Sequence, residues 1–312
     1  MNYIVLDLEW NQSNTGTEPE VNEIPFEIID FGAIKMNDDM VMVGEFNQLV
    51  KPQIYDQMHH ITSKIIHLHM QDLQRGRIFT DVMKDFLEFS TEECIYCTWG
   101  PLDLYELQRN MHFYGMGSLS DGPLKFLDVQ KLYSIAFEDG KKRRALEYAV
   151  DELKMEKDIP FHRAFSDAYY TAKIMALLPK EVFEYSSYDT FMLPQNKESE
   201  IKVRFPDYTK YISREFADRH EAITDKEVAS TKCYYCKKNI KKKVRWFSPN
   251  AGKHFYSIAE CPLHGFTKYK VRMKKSDREM VYVVKTSKPV DVETAENYAE
   301  RRRQVLNKKK EK

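Results

Sequence analysis

The sequence has no long apolar run and few cysteines. None of its 312 residues belong to a run of about 18 apolar residues, the length that a membrane-spanning helix needs. The first residues do not combine a basic segment with an apolar one, as a secretion signal would. We therefore expect a cytoplasmic protein with no membrane partner. The 5 cysteines are few and odd in number, which favours a reducing compartment and a metal site over a disulfide framework.

Charge is balanced over the whole chain but not along it. Residues 1–180 contain 18 Lys and Arg against 29 Asp and Glu, whereas residues 231–312 contain 23 against 8. An acidic half joined to a basic half is typical of proteins with a nucleic-acid partner. A basic surface that only keeps the protein in solution is the alternative.

The first 180 residues alternate between strand-like and helix-like patterns. Strands are predicted over 3–8, 26–35, 40–46, 94–99 and 126–129, and helices over 59–73, 82–89, 102–110, 146–153 and 164–178. Residues 11–23 are polar and are predicted to form a loop. The alternation predicts an α/β domain over residues 1–180 with a mixed sheet and flanking helices.

The rest of the chain divides into three segments. Residues 181–230 are charged and rich in aromatic side chains, which predicts an ordered connector and not a flexible linker. Residues 231–290 place a cysteine cluster among alternating β-like runs and predict a small basic domain. Residues 291–312 have charged residues at helical spacing and predict a basic helical tail.

Asp7 and Glu9 follow the first apolar strand. Side chains two positions apart lie on the same face of a strand, so the two carboxylates repel unless one is protonated or a cation is bound. Two solvated acids are the alternative. Asp103 follows a central strand, and Asp167 opens a helix five residues after His162. Four such carboxylates can hold two Mg²⁺ or Mn²⁺ ions about 3.5–4 Å apart, and an imidazole can take the proton of an attacking water.

The chain resembles a known family. The blocks IVLDLEW, WGPLD and HRAFSDAYYTA, with FEIIDFGAIKM and HHITSKIIHLHMQDL between them, are similar in order and spacing to motifs of the DEDDh, or DnaQ-like, 3′–5′ exonucleases. The resemblance covers roughly residues 1–180 and implies an RNase H-like fold. Within the family, the chain resembles the branch of KapD-like proteins and of exoribonucleases that trim small RNAs and histone mRNA ends.

The resemblance implies a role for each residue of the constellation. Asp7, Glu9, Asp103 and Asp167 would hold two Mg²⁺ or Mn²⁺ ions, with His162 as the general base. The substrate would be the 3′ end of single-stranded RNA or DNA, preferably RNA, and the products nucleoside 5′-monophosphates. A non-catalytic RNA-binding or regulatory protein that keeps the fold is the alternative.

Contacts with the substrate are expected at Leu8, Trp10 and Thr62. Trp10 follows Glu9 directly and is either a stacking surface for a terminal base or a core side chain. Asp128 matches an acid that is common in the family, and we interpret it as structural.

The second half of the chain contains a metal-ligand pattern. In each of two ligand pairs, two residues stand between the ligands, and 24 residues separate the pairs. This spacing predicts a tetrahedral Cys₃His site for one structural Zn²⁺ in a zinc-ribbon-like β domain. The ligands would be Cys233, Cys236, Cys261 and His264. Cys94 and Cys97 have no partner pair and lie in a strand pattern, so we expect them to pack in the core.

Basic and aromatic residues alternate between the two ligand pairs. The basic residues are Lys237, Lys238, Lys241, Lys242, Lys243 and Arg245, and the aromatic ones are Trp246, Phe247, Phe255 and Tyr256. Cations that neutralise phosphates, next to rings that stack on bases, favour single-stranded nucleic acid as the partner. Zinc ribbons also bind proteins, so a protein partner is the alternative.

Overall fold

The computed structural model describes residues 1–14, 20–90, 93–250 and 252–310. These residues divide into two compact units, Met1–Met192 and Leu193–Lys312. Residues 15–19 of the predicted loop and residues 311–312 of the predicted tail lie outside the described residues. Within the described ranges, no helix combines the length and the apolar character needed to cross a bilayer.

The first unit is built on a six-stranded mixed sheet. Its strands are β1 (Asn2–Gln12), β2 (Phe26–Met36), β3 (Met42–Leu49), β4 (Cys94–Thr98), β5 (Lys125–Asp128) and β6 (Ser187–Tyr188). They lie in the order β3-β2-β1-β4-β5-β6. β1, β4 and β5 are parallel, and the other neighbouring pairs are antiparallel. The predicted mixed α/β fold is confirmed.

Helices flank this sheet. They are α1 (His60–Ile66), α2 (Met70–Leu73), α3 (Phe79–Ser90), α4 (Leu102–Phe113), α5 (Val129–Phe137), α6 (Leu146–Glu152) and α7 (Ala164–Leu177), followed by a 3₁₀ turn at Lys180–Glu184. α1 and α2 replace one predicted helix because His67 takes a left-handed φ of 54°. α5 was not predicted. It begins directly after the four-residue strand β5, and Asp128 caps its first turn by accepting a hydrogen bond from the backbone of Lys131.

β1 contributes to both cores of the first unit. Ile4 and Leu6 face the core that contains α3 and α4, whereas Val5 faces the core that contains α5, α6 and α7. Because side chains alternate along a strand, Asp7 and Glu9 lie on the same face as Val5. The two acids therefore lie on the face of the sheet that α7 covers.

The second unit contains a six-stranded antiparallel sheet. Its strands are β7 (Ile201–Arg204), β8 (Thr209–Ile212), β9 (Lys241–Phe247), β10 (His254–Cys261), β11 (Gly265–Lys275) and β12 (Val281–Val290). They lie in the order β7-β8-β12-β11-β10-β9. The helices are α8 (Arg219–Thr224), α9 (Lys226–Ala229) and α10 (Val292–Lys310). α8 and α9 pack in a core with β11 and β12, and α10 packs on β9 and β10.

The segment expected to be a connector, residues 181–230, is divided between the two units. The 3₁₀ turn and β6 belong to the first unit, because β6 pairs with β5. β7 and β8 belong to the second, because β8 pairs with β12. The second sheet is thus larger than a β domain confined to residues 231–290.

Candidate active site and cysteine cluster

Asp7 and Glu9 lie inside β1, which is longer than the strand predicted at 3–8. β2 pairs with β1 from Tyr3 to Gln12, so that Asp7 lies opposite Gly32 and Glu9 opposite Asp30. The register shifts between Glu9 and Trp10, which leaves one extra residue in β2. Bulges of this kind change the local direction of side chains and are frequent beside active sites.

The N-terminal turn of α7 brings Asp167 to the pair. It passes so close to β2 that a Cβ atom on Gly32 would lie 2.1 Å from the backbone nitrogen of Phe165, so only glycine permits this approach. Carboxylate oxygens of Asp7, Glu9 and Asp167 lie within 4.8 Å of one another. Three carboxylates at this spacing can share a cation.

Asp103 lies next to this group of three but not within it. It occupies the first turn of α4, is 7% exposed, and accepts a hydrogen bond at 3.3 Å from the backbone nitrogen of Leu8. Leu8 separates Asp7 from Glu9, so this bond joins α4 to the strand that carries both acids. After burial, the charge of Asp103 is the largest cause that raises the pKa of Asp7 well above its usual range.

The other carboxyl groups also have raised pKa values. Burial, followed by the charges of neighbouring acids, raises the pKa of Glu9 to about 8. Burial raises the pKa of Asp103 to about 7 and the pKa of Asp167 to about 6, although backbone hydrogen bonds oppose both shifts. Such a set is costly to ionise without a cation, because a bound cation reverses the repulsion.

His162 is exposed on the loop before α7 and takes a positive φ of 65°. Its backbone nitrogen donates to Oδ1 of Asp167 at 3.3 Å. On the other side of the loop, Oδ2 of Asp30 accepts from Nε of Arg163 at 2.7 Å and from the backbone of Ala164 at 3.3 Å. Two carboxylates therefore fix the short segment that carries the imidazole.

Two residues that position these elements were not among the expected site residues. Asp30 is fully buried in β2, and Asn11 is fully buried near the end of β1. The side chain of Asn11 donates to the carbonyl of Gln57 at 2.8 Å and accepts from the backbone of His59 at 2.9 Å, which anchors the chain that enters α1. A single polar residue inside an apolar strand was the signal for Asp30, because a buried polar group needs a partner, whereas Asn11 begins a polar segment and gave no such signal.

The expected substrate contacts differ in their exposure. Leu8 is 3% exposed and packs in the core with α3 and α4, so only its backbone faces the acids. Trp10 is half-buried against Phe26, with ring centroids 5.6 Å apart, which fits the core interpretation of this side chain. Thr62 lies half-buried in α1.

The four residues of the predicted zinc site come together. The Sγ atoms of Cys236 and Cys261 are 3.9 Å apart, and Nδ1 of His264 lies 3.4 Å from Sγ of Cys261 and 3.5 Å from Sγ of Cys233. Tetrahedral zinc with its usual bond lengths would place two sulfurs about 3.8 Å apart and a sulfur and a nitrogen about 3.6 Å apart. The donor set is therefore compatible with Zn²⁺.

Two turns carry the four residues of this cluster, and one of its thiols has a lowered pKa. Cys233 and Cys236 lie in the turn before β9, whereas Cys261 ends β10 and His264 lies in the turn to β11. Backbone hydrogen bonds, of which the one from Leu263 has the largest effect, lower the pKa of Cys261 to about 6. This lowered pKa favours the thiolate, the form that zinc binds.

The other two cysteines lie in the first unit. Cys97 is fully buried in the core with α5, α6 and α7, and Cys94 is half-buried against the opposite core. Both are free thiols in β4. Their placement fits the expected packing role.

The aromatic residues between the ligand pairs pack inside the second unit. Phe247 is buried, and Tyr256 packs with it on the side of α10. Trp246 and Phe255 pack with α8 and α9, and Nε1 of Trp246 donates to the carbonyl of Ala229 at 3.3 Å. The alternation of basic and aromatic residues thus reflects a sheet whose faces pack in cores. Trp246, Phe255 and Tyr256 are only half-buried, and Trp246 borders a cavity with Lys241, Lys242 and Arg245, so a stacking role for these rings stays a prediction.

Comparison with known proteins gives a family and several similar folds. A sequence model described as Exonuclease (RNase_T) matches residues 4–175. No curated protein matches the chain by sequence. Among solved structures, the chain is similar to the nuclease domain of 3′hExo, a DEDDh family member, bound to rAMP, with 19% identity over 56% of this chain and 90% of that one and a TM-score of 0.48.

Two further structures are similar at lower identity. Cell-death related nuclease 4 (CRN-4) matches with 12% identity over 76% of this chain and 87% of that one, at a TM-score of 0.47. E. coli exonuclease I in complex with a dA16 oligonucleotide matches with 14% identity over 59% of this chain and 42% of that one, at a TM-score of 0.43. The family model covers more than half of the chain, including the four acids and His162, and the chain therefore belongs to the exonuclease family.

Proposed function

We propose that the protein is a metal-dependent 3′–5′ exonuclease that hydrolyses single-stranded nucleic acid, preferably RNA, to nucleoside 5′-monophosphates. The observation that carries this proposal is the convergence of Asp7, Glu9 and Asp167, whose oxygens lie within 4.8 Å of one another on the face covered by α7. The nearby carboxylate of Asp103 completes the set of four acids.

The chemistry of this donor set fits divalent cations. Carboxylate oxygens are the ligands that Mg²⁺ and Mn²⁺ prefer, and the raised pKa values of Glu9 and Asp103 indicate carboxyl groups that gain by binding a cation. Two such ions would stabilise the attacking and the leaving oxygen of a phosphodiester in line. The four acids would hold them.

The residues of the chain then have distinct tasks. The imidazole of His162 takes a proton from the attacking water, and its exposure lets it pass that proton to solvent. The water oxygen bonds to the terminal phosphorus, and the 3′ oxygen of the penultimate nucleotide leaves and is protonated by solvent. The hydrogen bond from the backbone of His162 to Asp167 keeps the base and a metal-binding carboxylate in a fixed relation.

The preference for RNA rests on the sequence resemblance and would need a contact to the 2′-OH, the group that distinguishes RNA from DNA. Thr62 and the backbone of Leu8 are the polar candidates for contacts to the terminal nucleotide. Trp10 is half-buried against Phe26, so only part of its ring is accessible to a base.

We also propose that one structural Zn²⁺ binds the Cys₃His cluster. The near-tetrahedral distances between the four donor atoms support this assignment. The ion would stabilise the turn before β9 and the turn between β10 and β11, because binding a metal to a folded site adds to the folding free energy.

The proposed activity is tested with 5′-labelled RNA and DNA oligonucleotides of one sequence in the presence of Mg²⁺ or Mn²⁺. Stepwise shortening from the 3′ end with release of 5′-monophosphates is expected, faster for RNA. Asp7→Asn should abolish it, whereas Asp39→Asn, which changes an exposed acid in the β2–β3 turn, should not. Tight RNA binding with no hydrolysis would identify a non-catalytic RNA-binding protein instead.

A further inference from the structure

The second unit contains two basic cavities. The first, of about 440 Å³, is bordered by six cationic side chains: Lys202, Arg204, Lys210, Lys232, Lys237 and Lys285. The second, of about 530 Å³, is bordered by Lys241, Lys242 and Arg245. Glu227 is the one acidic residue that borders either of them among the described residues. Nine basic residues face one acidic residue, which pairs with Lys202 and Lys232, and the excess of positive charge attracts an anion.

One short segment separates the two cavities. Ser230, Lys232 and Cys233 border the first, and Thr231 borders the second. The two cavities therefore adjoin along this segment, and a ligand that occupies both must be extended. Its charges must repeat along its length, since the cations are divided between both cavities.

Lys285 shows that the charges of the two cavities act on one another. Its buried Nζ donates to the carbonyls of Glu227 and Ser230. Burial, together with the charges of Lys232 in the first cavity and Lys242 in the second, lowers the pKa of Lys285 to about 7, while Glu227 and Asp225 oppose this shift. An anion in the cavities would relieve this repulsion.

The first cavity also offers a surface for a base. The guanidinium of Arg204 lies over the ring of Tyr234, 4.3 Å from its centroid, and Arg204 is exposed. A guanidinium that lies over a ring can also stack on a nucleobase, whereas the carboxylates of an acidic peptide can pair with it but gain no stacking. This observation favours nucleic acid over an acidic protein segment as the ligand.

We propose that the two cavities form a binding track for the backbone of single-stranded nucleic acid, with phosphates in both cavities and a base on Arg204. The track rests on the proposed function in that it takes the same class of ligand, but it is formed by the second unit alone. It includes Lys237, Lys241, Lys242 and Arg245 of the expected surface between the ligand pairs and extends that surface to basic residues of β7, β8 and β12.

The test measures binding of a 5′-fluorescein-labelled 20-nucleotide oligo(U) by fluorescence anisotropy. The full chain carries Asp167→Asn, so that the probe is not degraded. One variant, Arg204→Glu with Lys237→Glu, reverses two charges of the first cavity. A second variant, Lys241→Glu with Arg245→Glu, reverses two charges of the second cavity. The matched control, Lys253→Glu with Arg278→Glu, reverses two exposed charges of the same unit that border neither cavity.

Each cavity pair should weaken binding at 0.1 M salt by about tenfold or more, because two phosphate contacts are lost. The slope of log affinity against log salt should become shallower by about 1.4, at about 0.7 for each contact on a single strand. The control pair should bind within about twofold of the parent, as expected for charges that contact no phosphate. Circular dichroism of each variant establishes that the unit is folded.

Two results would overturn the track. The first is cavity variants that are folded and bind with the affinity and salt slope of the control pair. The second is polyglutamate of equal charge that binds the parent more tightly than oligo(U). Hydrolysis by the unmodified chain is measured separately. If the cavity variants bind like the control pair while the unmodified chain hydrolyses RNA, only this inference is contradicted. If binding depends on the cavities but the unmodified chain does not hydrolyse RNA, only the proposed function is contradicted.

Discussion

Gly32 on β2 packs against the first turn of α7 so closely that a Cβ atom would lie 2.1 Å from the backbone nitrogen of Phe165. Gly32 is also the residue opposite Asp7 in the antiparallel pair, and Asp167 follows Phe165 by two positions. One glycine therefore sets the distance between the strand that carries Asp7 and the helix that carries Asp167.

Gly32→Ala is expected to push α7 away from the sheet and to separate these carboxylates. Turnover should fall by about a hundredfold, the typical effect of a displacement near 1 Å in an active site. The free energy of unfolding should fall by about 1–3 kcal/mol, as for other overpacked cores. Oligonucleotide hydrolysis and urea unfolding measure the two effects.

Gly117→Ala is the matched control, since nothing lies within 4 Å of a Cβ atom at that position. It should change the unfolding free energy by no more than about 0.5 kcal/mol and leave turnover unaltered. Full activity of Gly32→Ala would show that the approach of α7 does not set the active geometry.

Asp30→Asn should affect turnover more than stability. The amide oxygen can still accept from the backbone of Ala164, but the charge that holds Arg163 is lost. We expect kcat to fall by about 10–100-fold with a small change in KM, as for other residues that position a metal ligand. Asp39→Asn, which neutralises an exposed acid, is the control.

The pH profile tests whether Asp30 acts through its charge. After burial and Asp167, the charge of Asp30 is the next cause that raises the pKa of Glu9. Its neutralisation should therefore lower the pKa of Glu9 and move the acidic limb of the profile to lower pH. A profile that does not move, with reduced kcat, would indicate a purely structural role.

Local patterns in the sequence were sufficient for the main elements of the first unit. The period of two in β1 places Asp7 and Glu9 on one face, and the position of Asp167 at a helix start follows from the apolar spacing after it. The roles of Asp30 and Gly32 were not predictable in this way. They depend on which residues of β1 and β2 lie opposite one another and on where α7 crosses β2, and both are contacts between distant parts of the chain.

The second unit shows a different limit of sequence patterns. The spacing of Cys233, Cys236, Cys261 and His264 predicts their convergence because few chemistries need such pairs. The aromatic residues beside the lysines gave no such information, since rings suit both a core and a stacking surface. Pairing of β8 with β12 determines which faces are covered, and it joins residues more than 70 positions apart.

Removal of a zinc ligand is expected to unfold or loosen the second unit. Cys236→Ser should reduce bound zinc from one ion per chain to none and lower the unfolding temperature, because the metal contributes to the folding free energy. Cys94→Ser, a half-buried thiol in β4, is the control and should retain one zinc. Zinc is counted by inductively coupled plasma mass spectrometry. An unchanged zinc content in Cys236→Ser would contradict the Cys₃His site.

The acids of the first unit should couple divalent metal binding to pH. Burial raises the pKa of Glu9 from an ordinary 4.5 to about 8, and that of Asp167 from 3.8 to about 6. Between these ordinary and raised values, the metal-free folded state binds more protons than the unfolded chain. Stability of the metal-free protein therefore falls as pH rises through this range. Bound Mn²⁺ displaces those protons, so its affinity should rise by about tenfold per pH unit for each proton released.

The measurement compares the unfolding temperature with and without Mn²⁺ at pH 6 and pH 8, with no chelator, so that a zinc site is left undisturbed. The increase produced by Mn²⁺ should be larger at pH 8, because more protons must be displaced at pH 6. Asp7→Asn should remove most of this increase at both pH values, since it takes a ligand from the group of three. An increase of equal size at both pH values, or one that persists in Asp7→Asn, would place the bound Mn²⁺ elsewhere on the protein.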